Sequence, residues 1–583
     1  MGLGAVPAHA AMDPLAALKS SCAPRTSTDA KRPVAYRLCA GKIASFDGTQ
    51  LDATLTLPAS VRKGTRLPLV VFLHGLLSDK REYLSETRAG TGADRGDALY
   101  KTIRFNNVWF ASRGYAVLNY TARGHGESGG NIELASRKVE VRDTQYLTGL
   151  LADDRSFAVN RSRVGVIGSS YGGGQAWLLL TTRGAGAPEY GSWRSPAGRL
   201  VKLAAVVPTY TWSDLLYSLV PNGRQRTDLL VDPKTADRPL GIGKQTLLDG
   251  FVLTSQGKLP QRTLTWLARL NAGEPYPDSD PIVTESRRGL TEERSAYFQD
   301  GFFDALRAGK QRRIPVLAGQ GWTDPIFAPI EAVRMYRRLR SVSPGYPIGL
   351  YLGDFEHLTA LVKPRDLSTL HDLATRMLDR VLRKRGPEPA YDVRSAETSC
   401  DKTRFGPIVR APTWDALATA RRTLRLAGPK TTVSPLTDPR GPALDPVAVS
   451  LQKGRGCLTV ASGSSVGAAA WPLDVPAGTT TIGAALLRLR VNSTAPDLEL
   501  NARLWDVAPD GTRTLVTRGA YRLVSPKPGG EQIEYELWGN HWRVEDGHRL
   551  ELEVLQDDST YLRRDNFAGS ATISDGELVL PVR

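Results

Sequence analysis

Six short apolar runs, separated by stretches of helical periodicity, constrain the fold of this 583-residue chain more than any other feature. They are "LPLVVFL" before His74-Gly75, "GYAVLNY" before Thr121, "RVGVIGSS" before Tyr171, "LAAVVP" over Leu203 to Pro208, "RIPVLAGQG" before Trp322, and "YPIGLYLGDF" before Glu356-His357. Runs of this length read as strands buried on both faces of a parallel sheet, with the helical stretches as crossovers. Upstream, "VAYRLC" to "SFDGTQLDATLTLP" alternates around Asp47-Gly48 and predicts an antiparallel hairpin. Thr209 to Arg313 is far longer than a crossover needs, and its short helical patterns predict a cap over the carboxyl end of the sheet. After "VLRKRGPEP" the chain turns to short strands punctuated by Gly, Pro and Asp-Gly. In "LELNARLWDV", Leu498, Leu500, Ala502 and Leu504 alternate with Glu499, Asn501 and Arg503, as in a half-buried antiparallel strand. The expected architecture is α/β: a doubly wound core over 34–208 and 314–390, a helical cap over 209–313 and a β-sandwich over 391–583, preceded by an N-terminal segment, 1–33.

The third run ends in "GSSYG", the G-x-S-x-G frame of a nucleophile elbow, in which a sharp strand-to-helix turn projects the central side chain above the sheet. The frame Gly168 to Gly172 centres on Ser170 and leaves Ser169 as a small neighbour; a frame on Ser169 would need Gly at Ile167 and Tyr171. Neither phosphate-binding pattern, G-x-x-x-x-G-K-[ST] nor G-x-G-x-x-G, occurs here. A serine hydroxyl needs a base, and an elbow orders its partners as Ser, acid, His. Of seven histidines, His357 directly follows the last core run. The run before it ends near Asp324, the expected acid, with Asp354 as the alternative. Acyl transfer also needs oxyanion donors, expected from the backbone N–H groups of Tyr171 and Leu76. The ring of His74 is expected to brace the Leu76 loop rather than to move protons.

The formal charge of +16 invites a nucleic-acid or membrane reading. Its arginines are spread along the chain, however, and the densest patch, "RMYRRLR" over Arg334 to Arg340, reads as the solvated face of a helix. Neither nucleic acid nor membrane is expected as a partner, and no run approaches the ~18 apolar residues of a membrane span. Ala8-His9-Ala10 matches the A-x-A pattern of an export signal, here clipped or mis-started, and predicts a secreted or otherwise exported protein. Four cysteines allow three connectivities. Pairing of neighbours in sequence, Cys22 with Cys39 and Cys400 with Cys457, suits an exported chain; buried free thiols are the alternative. No cysteine has metal-ligand spacing, and neither metal nor cofactor is expected.

With elbow, acid, histidine, cap and sandwich together, the chain resembles the X-Pro dipeptidyl-peptidase and cocaine-esterase-like family of α/β-hydrolase serine hydrolases. The resemblance rests on "FDGTQLDATLTLP", "GYAVLNYTARGHGESGG", "GSSYGG", "GWTDPIF" and "PDLELNARLWDVAPDGTRTLVTRGAYR". It implies a Ser170, Asp324, His357 triad, a helical cap, a C-terminal jelly roll, and cleavage of small esters or of short peptides after proline. Two departures stand out. Tyr120-Thr121-Ala122 precedes Arg123-Gly124 where many relatives carry an Asp, and the first loop reads His74-Gly75-Leu76-Leu77, without the family's tyrosine donor. A dipeptidyl-peptidase also needs a carboxylate for the substrate ammonium; Asp214, Asp228 and Asp249 in the cap are the candidates. Tyr210, Trp212, Trp322 and Phe327 are expected either to line a substrate pocket or to pack the cap onto the core. The rival expectation is a non-catalytic secreted binding protein acting through the β-sandwich. Nothing in the sequence sets an oligomeric state.

Overall fold

The computed structural model describes residues 13–90, 104–226, 239–357, 363–401, 403–436, 438–451 and 457–583. The Ala8-His9-Ala10 pattern and Asp228 lie outside them. The described strands of the first half are β1 (Ala23–Thr26), β2 (Ala35–Ala44), β3 (Gln50–Pro58), β4 (Leu67–Leu73), β5 (Ala116–Tyr120), β6 (Val159–Ser169), β7 (Ser192–Arg194), β8 (Leu200–Thr209), β9 (Val316–Gly321) and β10 (Ile348–Gly353). Joined by β11 (Val393–Ala396) and β12 (Ile408–Ala411), they form one sheet ordered β1-β2-β3-β5-β4-β6-β8-β9-β10-β11-β12, with β7 paired to β8. From β5 to β11 the pairing is parallel. The β2-β3 hairpin turns at Asp47-Gly48 and pairs antiparallel with β5. Strands β4, β5, β9 and β10 are buried along their whole length, because helices cover both faces. That is why these runs carry no polar alternation.

The C-terminal region holds a seven-stranded and a five-stranded sheet, antiparallel throughout. Leu487, Leu489 and Val491 of one sheet meet Leu498, Leu500 and Leu504 of the other in a single hydrophobic core. Strands β11 and β12, on the sandwich side of the sequence boundary at 391, instead extend the edge of the α/β sheet beyond β10. Both pairs of neighbouring cysteines are bonded, Cys22–Cys39 and Cys400–Cys457.

Two expectations about solvation are corrected. The strand Asp497–Val507 is buried on both faces. Its polar side turns toward other parts of the protein: Arg503 pairs with Asp558, and on the adjacent strand Arg522 donates to the Leu240 carbonyl while lying over Tyr276 of the cap. The arginine stripe of the helix Ile330–Val342 is likewise internal. Arg334 donates to Asp214 at 3.0 Å between the rings of Tyr217 and Tyr297, Arg338 donates to Asp300 over Phe303, and Arg337 grips Glu536 of the sandwich with two hydrogen bonds. Guanidinium groups stack and fork at once, so they can fill an interface that lysines would avoid. These arginines therefore join cap, core and sandwich.

Candidate active site

Strand β6 runs into the helix Tyr171–Thr181 through Ser170, whose backbone sits at φ 51°, ψ −117°. Only a crowded turn sustains such a conformation at a non-glycine residue. The flanking glycines follow from the same crowding: a Cβ at Gly168 would lie 2.1 Å from the Gly172 carbonyl oxygen, and one at Gly172 would lie 2.2 Å from that of Leu73. The turn leaves Ser170 at the mouth of the sheet, where its Oγ is 2.9 Å from Nε2 of His357. The other ring nitrogen, Nδ1, is 2.9 Å from Oδ2 of Asp324. These three residues, read from separate loops, meet in one hydrogen-bonded chain.

Asp324 is buried and its carboxylate accepts three further hydrogen bonds. The N–H groups of Ile326 and Phe327 donate to Oδ1 at 2.9 Å each, and Gln320 Nε2 donates to Oδ2 at 3.1 Å. The carbonyls of the same loop are tied outward: Lys244 of the cap donates to Ile326 O at 3.0 Å, and Tyr561 of the sandwich donates to Pro325 O at 2.6 Å. Lys244 is buried over Trp538, and burial lowers its pKa to about 8. Asp354 is turned away; it holds Lys363 and accepts from the Ser399 N–H. The remaining described histidines are engaged elsewhere. His371 stacks on Phe105, His541 meets Ser395, His548 meets Asp506, and His125 packs edge-on against His74.

His74 bridges backbone: Nε2 accepts from the Ala122 N–H at 2.8 Å, so Nδ1 carries the proton toward Gly75 O at 2.7 Å. Burial holds its pKa below the usual imidazole value. Beside it lies a residue for which the sequence offers no signal. Glu82 accepts from the Gly75 N–H at 2.8 Å with one oxygen and from Ser169 Oγ–H at 2.6 Å with the other. One buried carboxylate thus joins the residue before Leu76 to the residue before Ser170, and Ser169 is a hydrogen-bonded link rather than a mere small neighbour. Tyr171 opens its helix, where first-turn N–H groups have no intrahelical acceptor; its hydroxyl donates to Glu140, whose pKa burial raises to about 7.

Ser170 and His357 open on a cavity of about 570 Å³ that Leu76, Tyr171, Trp212, Phe251, Ile326 and Phe327 help to line. Of the four aromatics proposed from sequence, Trp212 and Phe327 reach this cavity. Tyr210 and Trp322 do not: Tyr210 packs on Phe355 behind His357, and Trp322 donates to Ser395 beside Trp414. Among the cap carboxylates, Asp214 is consumed by Arg334, whereas Asp249 lines the cavity and accepts one hydrogen bond, from Asn271 at 2.8 Å. Among the described residues no cluster of His, Cys, Asp and Glu suits a metal ion, and no helix is long and apolar enough to cross a membrane.

Solved structures share this architecture over nearly the whole chain. An aminopeptidase from a marine sediment Thaumarchaeota archaeon superposes with a TM-score of 0.61 at 14% identity, covering 94% of this chain and 96% of its own. A CocE/NonD family hydrolase from Staphylococcus aureus gives 0.60 at 12% identity, covering 97% of both chains. An α-amino acid ester hydrolase gives 0.60 at 17% identity, covering 94% of this chain and 97% of its own. No curated protein matches the sequence. Residues 414–578 match the X-Pro dipeptidyl-peptidase C-terminal non-catalytic domain, and residues 47–359 match the family described as X-Pro dipeptidyl-peptidase (S15 family). With that match over more than half its length and an α/β-hydrolase core beneath it, the chain belongs to the S15 X-Pro dipeptidyl-peptidase family and is a serine hydrolase acting on esters or peptides.

Proposed function

We propose that the chain is an exported hydrolase that cleaves a small ester or amide through a covalent acyl-enzyme on Ser170. The observation that carries this reading is the hydrogen-bonded chain from Ser170 through His357 to Asp324, opening on a largely apolar cavity. Ser170 Oγ attacks the substrate carbonyl as His357 Nε2 takes its proton. Asp324, accepting from Nδ1–H, fixes the tautomer and stabilises the imidazolium. The N–H groups of Leu76 and Tyr171 receive the developing oxyanion. His357 then returns the proton to the leaving alcohol or amine, and water repeats the sequence to release the acid. Residues 209–313 act as the cap. Two disulfides support an extracellular setting.

The test is labelling by a fluorophosphonate probe: Ser170 of the wild type is modified and the Ser170→Ala variant is not. An unlabelled wild type, or equal labelling of both, sinks the reading and favours a binding protein. A peptidase reading is supported by Asp249, the carboxylate of the cavity wall available to a substrate ammonium. It predicts that Asp249→Asn raises KM for amino-terminally free Xaa-Pro arylamides and leaves acetyl esters alone. Failure of wild-type enzyme to cleave Ala-Pro and Gly-Pro arylamides, with esters cleaved, rejects it.

A further inference from the structure

The three most exposed large apolar side chains among the described residues are Leu253 at 78%, Leu451 at 65% and Leu77 at 59%. All three line the cavity that holds Ser170 and His357. They come from unrelated parts of the chain: Leu77 follows the oxyanion loop, Leu253 lies on the cap helix Gln245–Thr254, and Leu451 ends the short helix Pro446–Ser450 of the sandwich region. Val252, beside Leu253, is 41% exposed. A single exposed leucine is ordinary, but apolar side chains converging on one opening mark a binding surface. Deeper in, the wall continues through Phe251, Leu247, Val447 and Ile326 toward Trp212 and Phe327, so collar and cavity form one apolar track. Among the described residues no lysine or arginine lines it, and Asp249 is its one carboxylate. A protein partner or second copy seated on this collar would close the way to Ser170, which turnover does not allow. An occupant that enters with each catalytic cycle and leaves with the products meets no such objection.

We infer that the preferred substrates carry a neutral, unbranched apolar chain on the scissile ester or amide, long enough to reach the rim of the cavity and lie against Leu77, Leu253 and Leu451. The inference rests on the hydrolase reading above and names its substrate class. The test uses full-length enzyme with p-nitrophenyl esters from acetate to octanoate, each held below its aggregation threshold. A second series of alkyl acetates, from butyl to octyl, separates a chain on the acyl side from one on the alcohol side. The expected result is that kcat/KM rises roughly two- to fourfold per added methylene in one of the two series, as transfer of a buried methylene predicts. In a Leu253→Ser, Leu451→Ser double variant the long-to-short ratio falls at least tenfold. A Val524→Ser control, altering an exposed valine outside the cavity, keeps the wild-type ratio. Both series flat within twofold, or a ratio unchanged in the double variant, overturns the inference while fluorophosphonate labelling leaves the hydrolase reading standing. Absence of labelling overturns both.

Discussion

Removing the Glu82 carboxylate tests whether the loop of the proposed oxyanion donor, Leu76, is held from behind. In Glu82→Ala the buried Gly75 N–H and Ser169 O–H lose their acceptor. Each unpaired buried donor costs ~1–3 kcal/mol, so the variant should lose ~2–6 kcal/mol of stability. The catalytic effect has a different origin. Leu76 follows Gly75 directly, and a full oxyanion donor is worth ~10²–10³ in kcat; a loosened one should cost ~10–100-fold. Glu82→Gln is the informative partner. Its Oε1 still accepts from Gly75, and Ser169 can rotate to accept from the amide, because a hydroxyl both donates and accepts. The glutamine variant should therefore recover kcat to within about threefold of wild type under the same hydrogen-bond argument. The assay is ester hydrolysis resolved into kcat and KM, with thermal melting in parallel and binding of a boronic acid that mimics the tetrahedral intermediate. A positioning role lowers kcat and boronate affinity together and leaves KM near wild type. A folded Glu82→Ala with normal kcat, or a glutamine variant as slow as the alanine, refutes the reasoning.

Three further predictions follow from the same structure. Asp324→Asn should lower kcat by ~10⁴, as loss of the tautomer-fixing acid does in serine proteases, whereas Asp354→Asn should cost ~3–5 kcal/mol of stability by stranding buried Lys363 and spare kcat in the folded fraction; a fast Asp324→Asn enzyme would move the acid to Asp354. Replacing both cysteines of Cys400–Cys457, 57 residues apart, by serine should lower stability by ~4 kcal/mol, against ~3 kcal/mol for Cys22–Cys39, 17 apart, if chain entropy dominates; denaturant midpoints check the order. Lys244 has a folded pKa of about 8 against an ordinary 10.5. Between those values the unfolded chain binds the extra proton, so this group makes stability rise with pH; urea midpoints at pH 7.5 and 9.5 should reveal that increment in wild type and not in Lys244→Met.

What could be read in the sequence was set by local sterics and strand order. Gly168 and Gly172 are dictated by contacts within one turn, so "GSSYG" named its own centre. Asp324 and His357 stood out as candidates because a doubly wound sheet delivers its carboxyl-terminal loops to one edge in chain order. Errors arose where a side chain's partner lies far along the chain. Arg334 and Arg338 have the periodicity of a wet helix face, and only the fold brings Asp214 and Asp300 to them. Glu499, Asn501 and Arg503 alternate as on a solvated strand, yet that face meets other parts of the protein. Trp322 sits two residues from Asp324 in sequence, but it lies in a turn after β9 and reaches Ser395 instead of the cavity. Glu82 precedes Ser170 by almost ninety positions and carries no motif, since its bonds to Gly75 and Ser169 form only in the fold.

The loop that bears Asp324 shows why an α/β core of this kind carries additional layers. Its N–H groups at Ile326 and Phe327 point inward to the carboxylate, while its carbonyls at Pro325 and Ile326 point outward to Tyr561 and Lys244. Consecutive peptide groups are thus fixed on opposite sides, by the acid, the sandwich and the cap. A shift of about 1 Å in a reacting group can cost ~10²-fold. The sandwich touches neither Ser170 nor His357 through these bonds, yet it limits how far the acid can stray from the imidazole. The sandwich, through Tyr561, and the cap, through Lys244, hold the loop of the proposed acid from two sides.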